Sequence, residues 1–361
     1  MSVFSKRINS LRNIIKDKTE ALYITDEKNI YYFTGISKSE GVVIITQDTS
    51  YLLVDFRYIE YANNKCSSCE VVEAKSFNDD ALRIFKTHGI KSVYLESDNI
   101  TVGRYNKLLL KFNAEGISLI TDETLSKTVS NLRLIKSEEE IAFINEAQKI
   151  TEKAYKEVLN HIKPGVSERK ISVELEYLMK KYGAEDISFD LITITGAKTS
   201  LPHGVPGDDI ISSGDFFTLD IGSVYKGYHS DMTRTVAVKH CDDYKRKIYD
   251  IVLEAQAEAL KKVKAGVKAS AVDKTARDII NAAGYKKNFG HSTGHGVGLD
   301  IHELPFVSPK SETVLSENMV ITVEPGIYLE NEFGVRIEDM VLVRENGCKN
   351  FATLSKELII V

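Results

Sequence analysis

The chain has 361 residues, enough for two domains that each bury a core. Hydrophobic residues make up 43% and charged residues 27%, with a formal net charge of −5, so the composition excludes a general electrostatic attraction to nucleic acid or to an anionic membrane. No segment resembles a secretory signal peptide or the run of about 18 apolar residues that would span a membrane. We therefore expect a cytoplasmic protein with no nucleic-acid or membrane partner.

The N-terminal part of the chain alternates between predicted strands and helices. Apolar runs at 42–46 and 51–54 flank a turn, which is typical of two neighbouring strands, and 93–96 is a third strand candidate. Apolar residues recur with helical spacing in segments 77–88 and 102–113. This order predicts an α/β domain with a mixed sheet.

A long helix opens the second part of the chain. Ser137 is followed three residues later by Glu140, the pattern of a capping box, and the acidic residues of this first turn suit the positive end of the helix dipole. Apolar residues then recur with helical spacing until Lys163-Pro164-Gly165 ends the helix. We place the domain boundary before this helix, which gives domains of residues 1–130 and 131–361.

The second domain contains a weak internal repeat. Lys163-Pro164-Gly165-Val166 resembles Lys264-Ala265-Gly266-Val267, and an amphipathic helix is predicted after each. Further along, Thr218-Leu219-Asp220-Ile221-Gly222 resembles Thr322-Val323-Glu324-Pro325-Gly326. We therefore expect each half to contribute carboxylates from an equivalent strand pair, with a pseudo-twofold axis between the halves.

Five potential metal ligands lie in this second domain: Asp220, Asp231, His295, Glu324 and Glu338. The acids have apolar neighbours in strand-like segments, and a buried carboxylate without a partner is costly. Four carboxylates and one imidazole suit two divalent cations, whereas without metal the acids would repel one another and raise their own pKa values. Salt-bridged structural acids are the alternative interpretation. The set predicts a hydrolase in which paired metal ions activate a water and polarise a carbonyl.

The segments around these residues resemble those of the pita-bread metallopeptidases, which include methionine aminopeptidase, aminopeptidase P and prolidase. The resemblance is strongest from 137 to 361 and extends to Tyr32-Phe33-Thr34-Gly35 and Asp55-Phe56-Arg57-Tyr58. It implies an N-terminal creatinase-like mixed α/β domain, followed by a pita-bread (creatinase/aminopeptidase) domain with internal pseudo-twofold symmetry. The extra N-terminal domain favours the Xaa-Pro aminopeptidases and dipeptidases over methionine aminopeptidase.

The resemblance also assigns roles to the five ligands. Asp220 would bind one metal ion with both oxygens. Asp231 and Glu338 would bridge the two ions, and His295 and Glu324 would bind the other. Glu324 would also act as general base toward the attacking water. Carboxylate-rich ligation favours Mn²⁺, and Co²⁺ or Zn²⁺ would fit the same atoms.

Three histidines and an arginine fall at family positions as well. His203 and His302 would contact the substrate and stabilise the tetrahedral intermediate, and His291 would line the proline pocket. Arg336 lies two residues before Glu338 and would fix that carboxylate from outside the ligand set.

The expected activity is hydrolysis of the bond between an N-terminal residue and proline. An Xaa-Pro aminopeptidase is the first hypothesis, and an Xaa-Pro dipeptidase (prolidase), which must also recognise a free carboxylate, is the alternative. A non-catalytic peptide-binding module is a remote third hypothesis, because such relatives usually lose ligands and this chain keeps all five. The resemblance implies proline-containing peptides as substrates and a homodimer as the assembly.

Overall fold

The computed structural model describes residues 2–37 and 39–361. The chain forms two compact units, which divide between Leu132 and Arg133. No helix within the described residues has the length and apolar character needed to cross a membrane.

The first unit is built on one six-stranded mixed sheet. Its strands are β1 Glu20–Ile24, β2 Gly41–Ile45, β3 Ser50–Val54, β4 Glu70–Glu73, β5 Ser92–Leu95 and β6 Ser118–Ile120. The strand order is β4-β3-β2-β1-β5-β6, and the central β1, β2 and β3 pair antiparallel while the outer strands pair parallel. Two of the predicted strands are therefore confirmed as β2 and β3, and the third as β5.

Six helices accompany this sheet, the last of which ends just beyond the division. They are α1 Val3–Arg12, α2 Glu27–Thr34, α3 Ile59–Lys65, α4 Phe77–His88, α5 Val102–Asn113 and α6 Thr124–Leu134. The two predicted helices are confirmed as α4 and α5. These helices and the sheet enclose a core that contains the buried rings of Tyr23, Phe85 and Phe112. The rings meet edge-on or tilted, which are favoured arrangements of aromatic pairs.

The second unit contains four long helices. They are α7 Glu138–Val158, α8 Glu168–Lys181, α9 Asp243–Lys262 and α10 Ala269–Ala282. The capping box at the start of α7 is confirmed, since the Ser137 hydroxyl accepts from the Glu140 amide and the Glu140 carboxylate accepts from the Ser137 amide. After α7, a 3-10 turn at Leu159–His161 leads into the predicted stop at Pro164.

Strands of the second unit fall into four small sheets. They are β7 Asp186–Ile187, β8 Ile192–Thr195, β9 Phe216–Ile221, β10 Ser223–Tyr225, β11 Tyr228–His229, β12 Met232–Ala237, β13 Gly294–Gly296, β14 Glu303–Val307, β15 Val320–Val323, β16 Gly326–Leu329, β17 Phe333–Arg336, β18 Asp339–Arg344 and β19 Gly347–Asn350. The orders are β12-β9-β8, β14-β13-β15-β18-β19, β11-β10-β7 and β16-β17. The antiparallel pairs β9–β12 and β15–β18 are the two that lead to the predicted acids.

Each half of the second unit has its own hydrophobic core. One core joins α7 and α8 to β9 and β12 through residues such as Ala154, Leu175 and Leu219. The other joins α9 and α10 to β15 and β18 through residues such as Ala255 and Val272. Two helices and an antiparallel strand pair thus recur in each half, as the sequence repeat predicts. The predicted acids lie at the ends of the two strand pairs.

Candidate functional site

The first half of the unit presents two acids at neighbouring strand ends. Asp220 is the penultimate residue of β9, and Asp231 directly precedes β12. Because Ile221 pairs with Met232 across the two strands, the acids lie at the same edge of the sheet. The Asp231 side chain is buried, and that of Asp220 is mostly so.

The second half presents one imidazole and two acids in a similar way. His295 is the central residue of β13, Glu324 follows β15, and Glu338 directly precedes β18. The Glu324 amide donates to the Thr293 carbonyl over 2.8 Å, which fixes the chain where it leaves the strand. The Glu338 amide donates to the carbonyl of Thr233 in β12 over 3.1 Å, and this bond ties the two halves together at the acids.

All five predicted ligands line one cavity of about 770 Å³ in this unit. His295 Nε2 lies 3.5 Å from Asp231 Oδ2 and 3.5 Å from Glu324 Oε1. One ligand atom each from Asp231, His295 and Glu338 lie within 4.8 Å of one another. Residues that are far apart in the sequence therefore converge on one small volume.

Burial and mutual repulsion disturb the titration of these groups. Burial, followed by repulsion from Glu338, raises the pKa of Asp231 well above its ordinary value. Burial raises the pKa of Glu324 to about 8, with Asp220 adding to the shift, and the pKa of Glu338 also lies well above normal because of burial and Glu324. Such a cluster is unstable as a set of anions unless cations neutralise it.

The donor atoms fit divalent cations. Asp220 Oδ1 is buried and has no hydrogen-bond partner among the described residues. His295 Nδ1 lies 3.1 Å from the Gly296 carbonyl, so Nδ1 carries the proton and Nε2 turns its lone pair toward the carboxylates. Burial lowers the pKa of His295 to about 4, which keeps the imidazole neutral and able to bind metal at pH 7.

The three predicted substrate histidines line the same cavity. The His302 ring meets the His295 ring edge-on, with centroids 4.3 Å apart. His203 lies in the loop between β8 and β9 and is exposed toward the cavity. His291 is more constrained: its Nδ1 lies 2.8 Å from the Ser292 carbonyl and its Nε2 lies 2.9 Å from the Tyr328 hydroxyl.

Arg336 lies beside the cluster, and its direct ion pair is with Asp220 rather than with Glu338. Its Nη2 donates to Asp220 Oδ2 over 2.6 Å, whereas Glu338 accepts instead from the Thr233 hydroxyl over 2.7 Å. The prediction placed Arg336 and Glu338 on one strand face. β17 ends at Arg336 and β18 begins at Asp339, and the Thr233 hydroxyl, which accepts from Arg336 Nε over 3.2 Å, links the arginine to Glu338.

Tyr328 is a site residue that the sequence did not indicate. Its hydroxyl accepts from Arg336 Nη1 over 2.9 Å and reaches His291 Nε2, so it connects a predicted substrate histidine to the partner of Asp220. Burial raises the pKa of Tyr328 to about 12, and the phenol therefore stays protonated. The available signal was slight: a tyrosine among the apolar residues of β16.

Family models, a relative and solved structures match the chain along nearly its whole length. The chain matches the model of metallopeptidase family M24 over residues 142–345 and that of the creatinase/prolidase N-terminal domain over residues 7–135. It is 38% identical to an Xaa-Pro dipeptidase of Pyrococcus horikoshii, over 99% of this chain and 100% of the relative. A solved Xaa-Pro dipeptidase from Bacillus anthracis is similar with a TM-score of 0.94 and 39% identity, covering 99% of this chain and 100% of that one. A solved X-Pro aminopeptidase from Thermotoga maritima has a TM-score of 0.89 and 36% identity, covering 97% and 99%.

Proposed function

Since the chain belongs to metallopeptidase family M24, and is therefore a metallopeptidase, we propose that it is an Xaa-Pro dipeptidase that uses two divalent metal ions. The observation that carries this proposal is the convergence of the five candidate ligands on one cavity that the three histidines also line. Relatives named Xaa-Pro dipeptidase, at 38% and 39% identity over nearly the whole chain, supply the substrate class.

In this proposal Asp220, Asp231, His295, Glu324 and Glu338 hold the metal ions. When bound, the ions supply Lewis-acid polarisation of the scissile carbonyl and a lowered pKa of the attacking water. Glu324 takes a proton from that water as the water oxygen bonds to the carbonyl carbon. The bond from this carbon to the prolyl nitrogen then breaks, and Glu324 delivers the proton to that nitrogen. His203 and His302 donate hydrogen bonds to the oxygen that gains charge, and His291 lines the site of the proline ring.

Recognition of a dipeptide also needs a cation for its free carboxylate. The arginines that line the cavity are Arg169 and Arg336. Arg336 is held by Asp220 and Tyr328, whereas Arg169 pairs with the highly exposed Asp208 at 2.9 Å and is itself 61% exposed. An exposed pair of this kind exchanges partners at little cost. We therefore assign the substrate carboxylate to Arg169.

An Xaa-Pro aminopeptidase is the second candidate, and it was the first hypothesis from the sequence. The similarity to the Thermotoga maritima X-Pro aminopeptidase favours this candidate, but the relatives named Xaa-Pro dipeptidase support the dipeptidase better. Manganese as the native metal, a homodimer and a cytoplasmic location stay predictions.

Rates of cleavage of Ala-Pro, Ala-Pro-Ala and Ala-Ala by metal-loaded protein test the proposal. We expect cleavage of Ala-Pro well above the other two. Preference for Ala-Pro-Ala would establish the aminopeptidase instead, and cleavage of Ala-Ala at the same rate would contradict proline specificity. Arg169→Ala should raise KM for Ala-Pro, and Arg83→Ala, which removes an exposed arginine in the other unit, should not.

A further inference from the structure

Helix α10 carries an ion pair that is more buried than its helical spacing suggests. Arg277 Nη2 donates to Asp273 Oδ1 over 2.7 Å and Nε donates to Oδ2 over 2.9 Å, in a two-point arrangement. The Asp273 side chain is 1% exposed and that of Arg277 is 23% exposed. An ion pair at this spacing supports a helix when it is exposed to solvent. Burying its charges costs free energy unless further hydrogen bonds satisfy them, so a further partner is needed.

That partner is the irregular segment that carries His291. Arg277 Nη1 donates to the Phe289 carbonyl over 3.0 Å, and Nη2 donates to the His291 carbonyl over 2.9 Å. Asp273 Oδ1 accepts from the Thr293 amide over 3.2 Å and from its hydroxyl over 2.8 Å. The ion pair therefore holds the backbone before, at and after His291.

Ring contacts extend the same restraint to the imidazole. The Arg277 guanidinium lies over the Phe289 ring at 4.3 Å, and that ring meets the His291 ring edge-on with centroids 5.0 Å apart. The segment lies between a short 3-10 turn at Lys286–Asn288 and β13, so no regular hydrogen-bond ladder fixes it. Without the pair, its backbone would retain conformational freedom that binding would have to remove.

We propose that Asp273 and Arg277 are positioning residues for His291, and that this buried pair sets the affinity of the site for the proline end of the substrate. The proposal rests on the proposed function for the role of His291. The pair touches neither the substrate site nor the candidate ligands through its own charged atoms. Its effect is therefore expected in KM rather than in kcat.

A double-mutant cycle with Arg277→Lys and His291→Ala tests the proposal. Lysine keeps the charge beside Asp273 but lacks the planar fork that reaches two carbonyls. We expect Arg277→Lys to raise KM for Ala-Pro about tenfold with kcat within about twofold. The double variant should be no worse than His291→Ala alone, because both changes remove the same contact. Effects on KM that multiply in the double variant, or an unchanged KM in Arg277→Lys, would overturn the proposal.

Hydrogen exchange gives a readout that does not depend on activity. In Asp273→Asn, which keeps the side-chain size, peptides covering 289–293 should exchange faster than in the wild type, and peptides of α9 should not change. Lys274→Ala is the matched control, since it breaks only an exposed pair with Asp278 on the same helix. If the wild type cleaves no Xaa-Pro peptide, the proposed function fails, while the exchange result still decides the positioning role. Unchanged exchange at 289–293 would overturn that role.

Discussion

Arg336 donates to Asp220 over 2.6 Å at the edge of the acidic cluster, where the two side chains are 5% and 14% exposed. The same guanidinium donates to the Tyr328 hydroxyl and, from Nε, to the Thr233 hydroxyl, which in turn donates to Glu338. One cation therefore orients two of the candidate ligands from outside the set. Such outer partners fix ligand geometry and adjust ligand basicity.

Replacement of Arg336 by lysine should weaken the metal site. Lysine retains the positive charge but cannot bond Asp220, Tyr328 and Thr233 at once. We expect metal affinity or kcat/KM to fall about 10- to 100-fold. Competition with a chromogenic chelator measures the affinity, and Arg344→Lys at the partly exposed end of β18 is the control. Wild-type affinity in Arg336→Lys would show that Asp220 needs no such partner.

The stability of metal-free protein should fall as pH rises from about 7 to about 8. The pKa of Glu324 is raised by burial from 4.5 to about 8, so over this range the folded state holds a proton that the unfolded state has lost. The contribution of Glu324 to the free energy of unfolding is fully present below its ordinary pKa of 4.5. It is lost as the pH rises through the pKa of about 8 in the folded state. Below about pH 6.5 the buried His291 and His295, whose pKa values are lowered to about 4, act in the opposite direction.

Thermal unfolding at pH 7 and pH 8, with chelator or with Mn²⁺, measures this effect. Bound metal should remove the decrease, because the carboxylates are then ionised and neutralised in the folded state. Glu324→Gln should make the metal-free decrease smaller. A metal-free protein that is equally stable at both pH values would contradict the electrostatic description of the site.

The loop that carries His203 is held by a buried acid outside the candidate ligand set, Glu168. Glu168 is fully buried and accepts from the Thr195 amide, the Gly207 amide and Lys198 Nζ at 2.8, 2.8 and 2.7 Å. Glu168→Gln removes the charge that Lys198 faces and places an amide donor among donors. We expect a loss of about 1–3 kcal/mol in the free energy of unfolding.

Because Glu168 bonds the backbone on both sides of His203, KM for Ala-Pro should rise at least about threefold in the same variant. Urea denaturation and steady-state kinetics on one preparation measure both effects. Glu258→Gln on α9 is the control, because Glu258 is the partially exposed partner of a lysine and does not line the cavity. A loss of stability without any change in KM would show that Glu168 does not position the loop that carries His203.

Much of this architecture follows from local sequence. The mixed α/β fold, with its creatinase-type N-terminal domain and pita-bread domain, is confirmed. Strand periodicity and the capping box at Ser137 are visible in short segments and predict the α/β elements, and the resemblance to the family implies the creatinase-type and pita-bread domains. The five candidate ligands could be named because a metal cluster requires acids in apolar surroundings, and the three histidines because their segments resemble those of the family.

The remaining contacts depend on long-range register. Proximity in sequence predicts contact of Arg336 with Glu338, but the direct ion pair is with Asp220, and the link to Glu338 runs through the Thr233 hydroxyl. Asp273 and Arg277 have the spacing of an ordinary helical pair, and only tertiary packing shows that they hold the His291 segment. Tyr328 likewise gains its role from the partners that other strands bring.

Titration of metal into metal-depleted protein, with Ala-Pro hydrolysis and bound metal measured on the same samples, tests whether the acidic cluster is a two-metal centre that cleaves Xaa-Pro dipeptides. We predict no hydrolysis without metal, and a rate that rises with Mn²⁺ and saturates at two ions per chain. Full activity in metal-depleted protein, or no hydrolysis of Ala-Pro with two ions bound, would contradict it.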